Sequence, residues 1–279
     1  MQNKQIHNFM KQESFVASKK MGQNFLSSLP IKKRIVESTN LQKGDFVIEI
    51  GPGLGAITEI LLSYPINLLA VELDKRLFDH LQKKFSSYAN FSIINNDVLK
   101  EDLQTIIENK SNQKDAIVVA NLPYSISSKI VLKLMKTTNV SKCIIMVQKE
   151  MAERLAAKVG SKDYNAFTAL VSLYLDVKYL FTVGPKNFVP APKVDSAVIE
   201  LRRVDDKEIS LEKIDEYESF LRLAFQNKRK TLVNNLSSQF DKQLIQQVLE
   251  DNKLIPTIRA EAISAKQLIK IYNDLSNAN

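Results

Sequence analysis

Five short apolar runs, each followed by a longer polar or amphipathic stretch, constrain this chain more than any other feature. FVIEIG (46–51), NLLAVEL (67–73), FSIINND (91–97), AIVVANLP (116–123) and KCIIMVQK (142–149) have the length of strands. The segments between them leave room for a helix or a shorter connection. Such runs suit strands buried on both faces, and their alternation with helix-period segments suits βαβ units in a parallel sheet. YLFTVG (179–184) and SAVIELRR (196–203) are joined by a Pro-rich link too short for a crossover helix, which predicts an antiparallel pair at the sheet edge. After Arg203 the texture becomes helical. Phe220, Leu221, Ala224, Phe225, Leu232 and Leu236 fall close to one stripe of a single helix over 217–236. Helices follow in DKQLIQQVLEDN and SAKQLIKIYNDL, with Ser264 as N-cap of the last. The expected fold class is α/β with a small C-terminal α-helical domain. The expected divisions are a basic N-terminal segment (1–43), a ligand-binding domain (44–205) and the helical domain (206–279).

Charge narrows the partners. Of a net charge of +8, residues 1–43 hold eight Lys/Arg against Glu13 and Glu37, whereas 206–279 carry eleven of each sign. An excess at one end fits either a polyanion contact or a solvated tail. No apolar run is long enough to span a bilayer, so no membrane partner is expected, and MQNKQIHNFMKQESF lacks the apolar centre of a signal peptide. The single cysteine, Cys143, lies within CIIMV and reads as a core residue. Together these favour a cytoplasmic protein. No metal site is expected.

The glycine loop EIGPGLGAIT (49–58) follows the first strand directly and opens a helix, so Gly51, Gly53 and Gly55 allow a tight turn and close approach of a ligand to the backbone. Glu72 closes the second strand, where a carboxylate can accept hydrogen bonds from two ribose hydroxyls. Asp97 ends the third run and is placed for an adenine amino group. The third glycine sits closer to the second than dinucleotide sites prefer. Ribose and adenine without a pyrophosphate point to S-adenosylmethionine, leaving S-adenosylhomocysteine as product.

The stretch Asn121-Leu122-Pro123-Tyr124, at the tip of the fourth run, supplies what methylation of an exocyclic amine needs. An Asn oxygen and a backbone carbonyl accepting from the NH2 would aim its lone pair and stabilise the charge that grows on nitrogen. Proline fixes the loop, and the tyrosine ring offers a stacking face for an extruded base, its hydroxyl left idle. Phe188, ahead of Pro190 and Pro192, is a candidate for a second face. Lys228, Arg229 and Lys230, with Lys19 and Lys20, are candidates for nucleic-acid phosphate contacts.

GQNFL (22–26), EIGPGLGAIT, NLPYSISSKI, FVPAPKVDSAV and AFQNKRKTLVNNL together resemble the ribosomal RNA adenine N6-dimethyltransferases, most closely the bacterial small-subunit (16S) branch. The resemblance implies a Rossmann-like methyltransferase domain and a small helical domain, acting as a monomer on two adjacent adenosines of small-subunit rRNA within an immature subunit. It also implies cofactor contacts at Asn24, Leu26, Gly51, Glu72, Asp97 and Asn121. Departures fall at Ser28, Ser125, Val159 and Asn165, none of them an implied cofactor residue. A dinucleotide oxidoreductase would use the loop and Glu72 but leaves the Asn121–Tyr124 stretch and the basic N-terminus without a task. The sister family that methylates large-subunit RNA shares the front half, and QNKRKTL (226–232) separates the two. An assembly factor whose methylation is secondary is the non-enzymatic alternative.

Overall fold

The computed structural model describes Ser18, residues 22–204 and residues 211–278. Lys19 and Lys20 lie outside the described residues. In chain order the first elements are β1 (Phe25–Leu26), α1 (Leu29–Thr39), β2 (Phe46–Ile50), α2 (Thr58–Leu61), β3 (Asn67–Glu72), α3 (Lys75–Lys84) and β4 (Phe91–Asn95). Next come α4 (Leu103–Lys110), β5 (Ala116–Asn121), α5 (Ser127–Lys136), β6 (Val140–Gln148), α6 (Lys149–Leu155), α7 (Ala166–Ser172) and β7 (Leu175–Val183). The chain closes with β8 (Phe188–Val189), β9 (Ser196–Arg203), α8 (Ile214–Ala224), α9 (Leu232–Leu236), α10 (Lys242–Asp251) and α11 (Ala265–Asn277).

Seven strands form one sheet in the order β4-β3-β2-β5-β6-β9-β7, and β1 pairs separately with β8. The pairs β4–β3, β3–β2, β2–β5 and β5–β6 are parallel, and β9 joins β6 antiparallel. All five apolar runs are strands, and the two later ones occupy the far edge, as their spacing predicts. From β2 the chain builds outward to β4, then returns to lay β5 on the other side of β2. That reversal opens a crevice beyond the carboxyl ends of β2 and β5.

Register decides what lines the crevice. Ile50 pairs with Val71 on one side and Ala120 on the other. The residues next in chain, Gly51, Glu72 and Asn121, therefore stand in one row across three strands. Three separate motifs are brought side by side by pairing alone.

The chain divides into two compact units. One comprises the described residues up to Ala152 with Lys178–Arg203, the other Glu153–Val177 with those from Val204 on. The boundary expected near residue 205 marks where the chain leaves the sheet for good. It misses the earlier excursion Glu153–Val177, which belongs to the helical unit. In that unit Tyr217 stacks on Phe220 at 6.0 Å between ring centroids, and Tyr272 meets both rings edge-on or tilted. Ser264 caps α11 through a full capping box with Gln267.

The single helix expected over 217–236 is two. Helix α8 stops at Ala224 and α9 starts at Leu232, leaving Lys228, Arg229 and Lys230 exposed in the turn between them. The buried Asn235 explains the break, because its side-chain amide donates to the carbonyls of Ala224 (2.7 Å) and Asn227 (3.2 Å). A stripe-based reading counts Leu232 and Leu236 in phase with α8 and does not register an Asn that holds the chain out of helix.

The glycine loop is also less helical than expected, since α2 spans only four residues. Gly55 has φ +77°, and a methyl there would come within 2.7 Å of the Phe85 ring and 2.8 Å of Leu81 on α3. Gly55→Ala is expected to cost about 2–4 kcal/mol from backbone strain and overpacking together. Denaturant unfolding checks it, and an unchanged midpoint would show that the loop yields.

Candidate active site

A cavity opens at the crevice, lined by Gly22–Leu26, the glycine loop, Glu72 and Leu73, Asn96–Val98 and Asn121–Tyr124. Cofactor candidates Asn24, Leu26, Gly51, Gly53, Glu72, Asp97 and Asn121 converge there, as do Leu122, Pro123 and Tyr124 of the catalytic set. Gly55 and Phe188 are not among its lining residues.

The three loop glycines are glycines for three reasons. A methyl on Gly51 (φ +66°) would touch nothing within 4 Å, so this is where the backbone borders open space. At Gly53 a methyl would press on the Phe25 ring at 3.1 Å, and its N–H already donates to Glu72 Oε2 at 3.1 Å. Gly55 is packed under α3, against Leu81.

Glu72 is 6% exposed, and its other oxygen accepts from the Asp74 N–H at 2.9 Å. Burial pushes its carboxyl above the ordinary carboxylate range, and the two backbone N–H groups oppose that. Each oxygen keeps acceptor capacity for a second donor. Asp97 lies two residues past the end of β4, with Oδ1 accepting from the Leu99 N–H at 2.9 Å. Its carboxylate is thus presented from a turn rather than from a strand.

The Asn121–Tyr124 stretch is tied at every residue. Asn121 Nδ2 donates to the Asn24 carbonyl at 3.1 Å, which leaves Oδ1 as the acceptor end of the amide. The Leu122 N–H donates to the Met146 carbonyl on β6, and the Pro123 carbonyl accepts from the Ile126 N–H. The Tyr124 carbonyl accepts from Ser127 Oγ at 3.0 Å, and its hydroxyl shares a 2.7 Å hydrogen bond with Ser196 Oγ. The tyrosine hydroxyl is therefore engaged, not idle. Burial raises its pKa, and the Ser196 hydrogen bond works against the rise.

Phe188 takes a different place from the one expected. It is 4% exposed, belongs to the hydrophobic core with Leu26, and pairs with Leu26 through β8 and β1. In this structure the ring supports the strand that carries the cavity wall and has no face open to a base. Sequence alone does not separate a Phe stiffened by prolines for display from one held for packing.

Two residues are missing from the sequence reading. Gln23 donates to Asp74 Oδ2 at 3.0 Å, and the Arg76 guanidinium on the same carboxylate holds Asp74 below the usual carboxylate range. This pins the segment ahead of β1 to the start of α3. Glu49 is buried in β2, accepts from Thr58 Oγ1 at 2.6 Å, and is pushed up to about 7 by burial above all. A carboxylate inside the apolar run FVIEI was the available signal.

A buried acid raised this way binds more protons folded than unfolded between about pH 4.5 and 7, so it costs stability as pH rises through that window. Glu49→Gln, which keeps an acceptor for Thr58, should therefore gain on the parent as pH rises, by up to a few kcal/mol. Thermal unfolding at about pH 5 and pH 8 checks the sign, and a constant offset would show that Glu49 does not titrate there.

Residues 14–277 match the family described as Ribosomal RNA adenine dimethylase. A Ribosomal RNA small subunit methyltransferase A from Ureaplasma urealyticum is 51% identical over 278 residues, 98% of each chain. Its namesake from Alkaliphilus oremlandii is 37% identical over 98% of this chain and 96% of its own. Among solved structures, a dimethyladenosine transferase from Plasmodium falciparum superposes with a TM-score of 0.78 at 25% identity, over 91% of this chain and 98% of that one. The 23S rRNA methyltransferase ErmE shares the fold, with a TM-score of 0.70 at 23% identity over 91% of this chain and all of its own. With a seven-stranded sheet of this order, a glycine loop, an acid and an Asn-Leu-Pro-Tyr tip in one row, and a match over nearly the whole chain, this protein belongs to the ribosomal RNA adenine dimethylase family, whose methyl donor is S-adenosylmethionine.

Proposed function

We propose that the chain dimethylates N6 of two adjacent adenosines near the 3′ end of 16S rRNA, working on an immature small subunit as a cytoplasmic monomer. One observation carries the reading: Asn121 donates one amide N–H to the Asn24 carbonyl, which leaves Oδ1 as an acceptor on a residue that lines the cavity. An aromatic amine has two N–H donors and a lone pair drawn into the ring. Asn121 Oδ1 and the Leu122 carbonyl accept those two donors, turn the lone pair toward the methyl group, and stabilise the charge that grows on nitrogen. Tyr124 gives its ring face to the extruded base. Glu72 takes the ribose hydroxyls, Asp97 the adenine amino group, and Gly51 the close approach of the cofactor to the backbone. The segment Gly22–Leu26 forms a cover over the cofactor, consistent with its place in the cavity wall. S-adenosylmethionine supplies the electrophilic methyl group when bound.

Asn121→Ala should lower the single-turnover rate by at least a hundredfold, because the lost acceptor acts chiefly in the transition state. Binding to the subunit should hardly change, since phosphate contacts dominate it. Immature small subunits with products resolved by mass provide the assay, and transfer at the parent rate would sink the mechanism.

RNA phosphate is the proposed partner of the turn Lys228-Arg229-Lys230. The Lys228 ammonium also donates to the Lys162 carbonyl at 3.1 Å, and Asn235 holds the turn's backbone, so the three cations are presented on a fixed loop. Changing all three to Ala should flatten the salt dependence of subunit binding by a slope of about 2–3 and leave cofactor affinity unchanged. Equal slopes for variant and parent would remove the turn from the interface.

A further inference from the structure

We infer that Ser196 is a positioning residue for the methyl transfer, acting through Tyr124. This rests on the proposed stacking of the target base on the Tyr124 ring. Ser196 is fully buried at the start of β9, opposite Gln148 of β6. Two residues earlier on β6, Met146 pairs with Asn121 and its carbonyl takes the Leu122 N–H. One strand thus sets both the loop that aims the amine and the hydroxyl that meets Tyr124.

The tyrosine is consequently held at both ends. Its backbone carbonyl accepts from Ser127 Oγ, itself buried, and its phenol oxygen lies 2.7 Å from Ser196 Oγ. Fixing the phenol oxygen fixes the direction of the ring axis, so this partly exposed side chain keeps one χ1 setting while the site is empty. A ring already set does not have to be ordered when the base arrives, which lowers the barrier without adding a contact to the base. A phenylalanine would offer the same face but no anchor. The Ser196 hydroxyl, fully buried, touches neither base nor cofactor. Its contribution is transmitted entirely by the tyrosine.

The test is a double-mutant cycle in the full chain, using single-turnover methylation of immature small subunits at saturating S-adenosylmethionine. Ser196→Ala and Tyr124→Phe should each slow transfer by about tenfold, the scale of one hydrogen bond. The double variant should be no slower than either, because both changes remove the same bond. Cofactor affinity by calorimetry should match the parent in all three, a split that a general loosening of the fold would not give. Losses that multiply to about a hundredfold would overturn the inference, as would Ser196→Ala at the parent rate. Should Ser196→Ala not fold, Tyr124→Phe alone decides, and the parent rate there would overturn it. Tyr124→Ala separates the two levels. If it is slow while Tyr124→Phe is not, the anchoring fails and stacking survives. If Tyr124→Ala itself transfers at the parent rate, stacking fails and the inference with it.

Discussion

The parallel pairing of β2 with β3 on one side and β5 on the other is the constraint on which the site depends. Each parallel strand must be reached by a crossover, and the crossovers leave the strand ends free of hairpins. The carboxyl ends are then available for loops that bind, and register places those loops in a row. A one-residue slip of β5 would turn Asn121 to the opposite face of the sheet while leaving the apolar run equally buried. Register is held by side-chain volume in the core and by ties such as the Leu122 N–H to Met146. The chemistry at the rim inherits its precision from packing far below it.

Polar groups at this rim do double duty. Glu72 closes the glycine loop through Gly53 and the start of α3 through Asp74, yet remains an acceptor facing the cavity. Asn121 holds the Gly22–Leu26 segment with one end of its amide and presents the other. A carboxylate or amide without such structural ties would be free to turn away from the cavity. Using half of each group structurally keeps its acceptors aimed.

The strand runs, the glycine loop, the acid that closes β3 and the Asn-Leu-Pro-Tyr tip could all be read from the sequence, whereas the order of the strands could not. Each rests on local patterning, such as apolar runs, glycine spacing and a polar residue at a strand end. What could not be read depends on contacts distant in the chain. The Tyr124 hydroxyl meets Ser196 at a separation of 72 residues, and nothing local to either announces the pair. Phe188 is buried because it pairs with Leu26, a partner no window around 188 contains. The helix expected through 217–236 failed for a nearer reason: Asn235 reaches back to Ala224 and Asn227, and a single buried amide outweighed a well-phased apolar stripe. The excursion Glu153–Val177 leaves the sheet unit without any change in composition, so no boundary shows.

The pairing of β1 with β8 has a consequence for synthesis. Ser27 hydrogen-bonds Asn187 across a separation of 160 residues, and Phe25 and Leu26 pair with Val189 and Phe188. A chain emerging from the ribosome can assemble β2 to β5 early, because those pairings span short stretches. It cannot lay β1 down until β8 has followed. Until β8 is made, the glycine loop and the Asn121 tip stand without a stable wall on that side. The cavity is thus completed only after β8 is made, although the wall that β1 carries precedes the glycine loop in the chain. Ligand affinity should therefore be a property of the finished catalytic unit, absent from its nascent fragments.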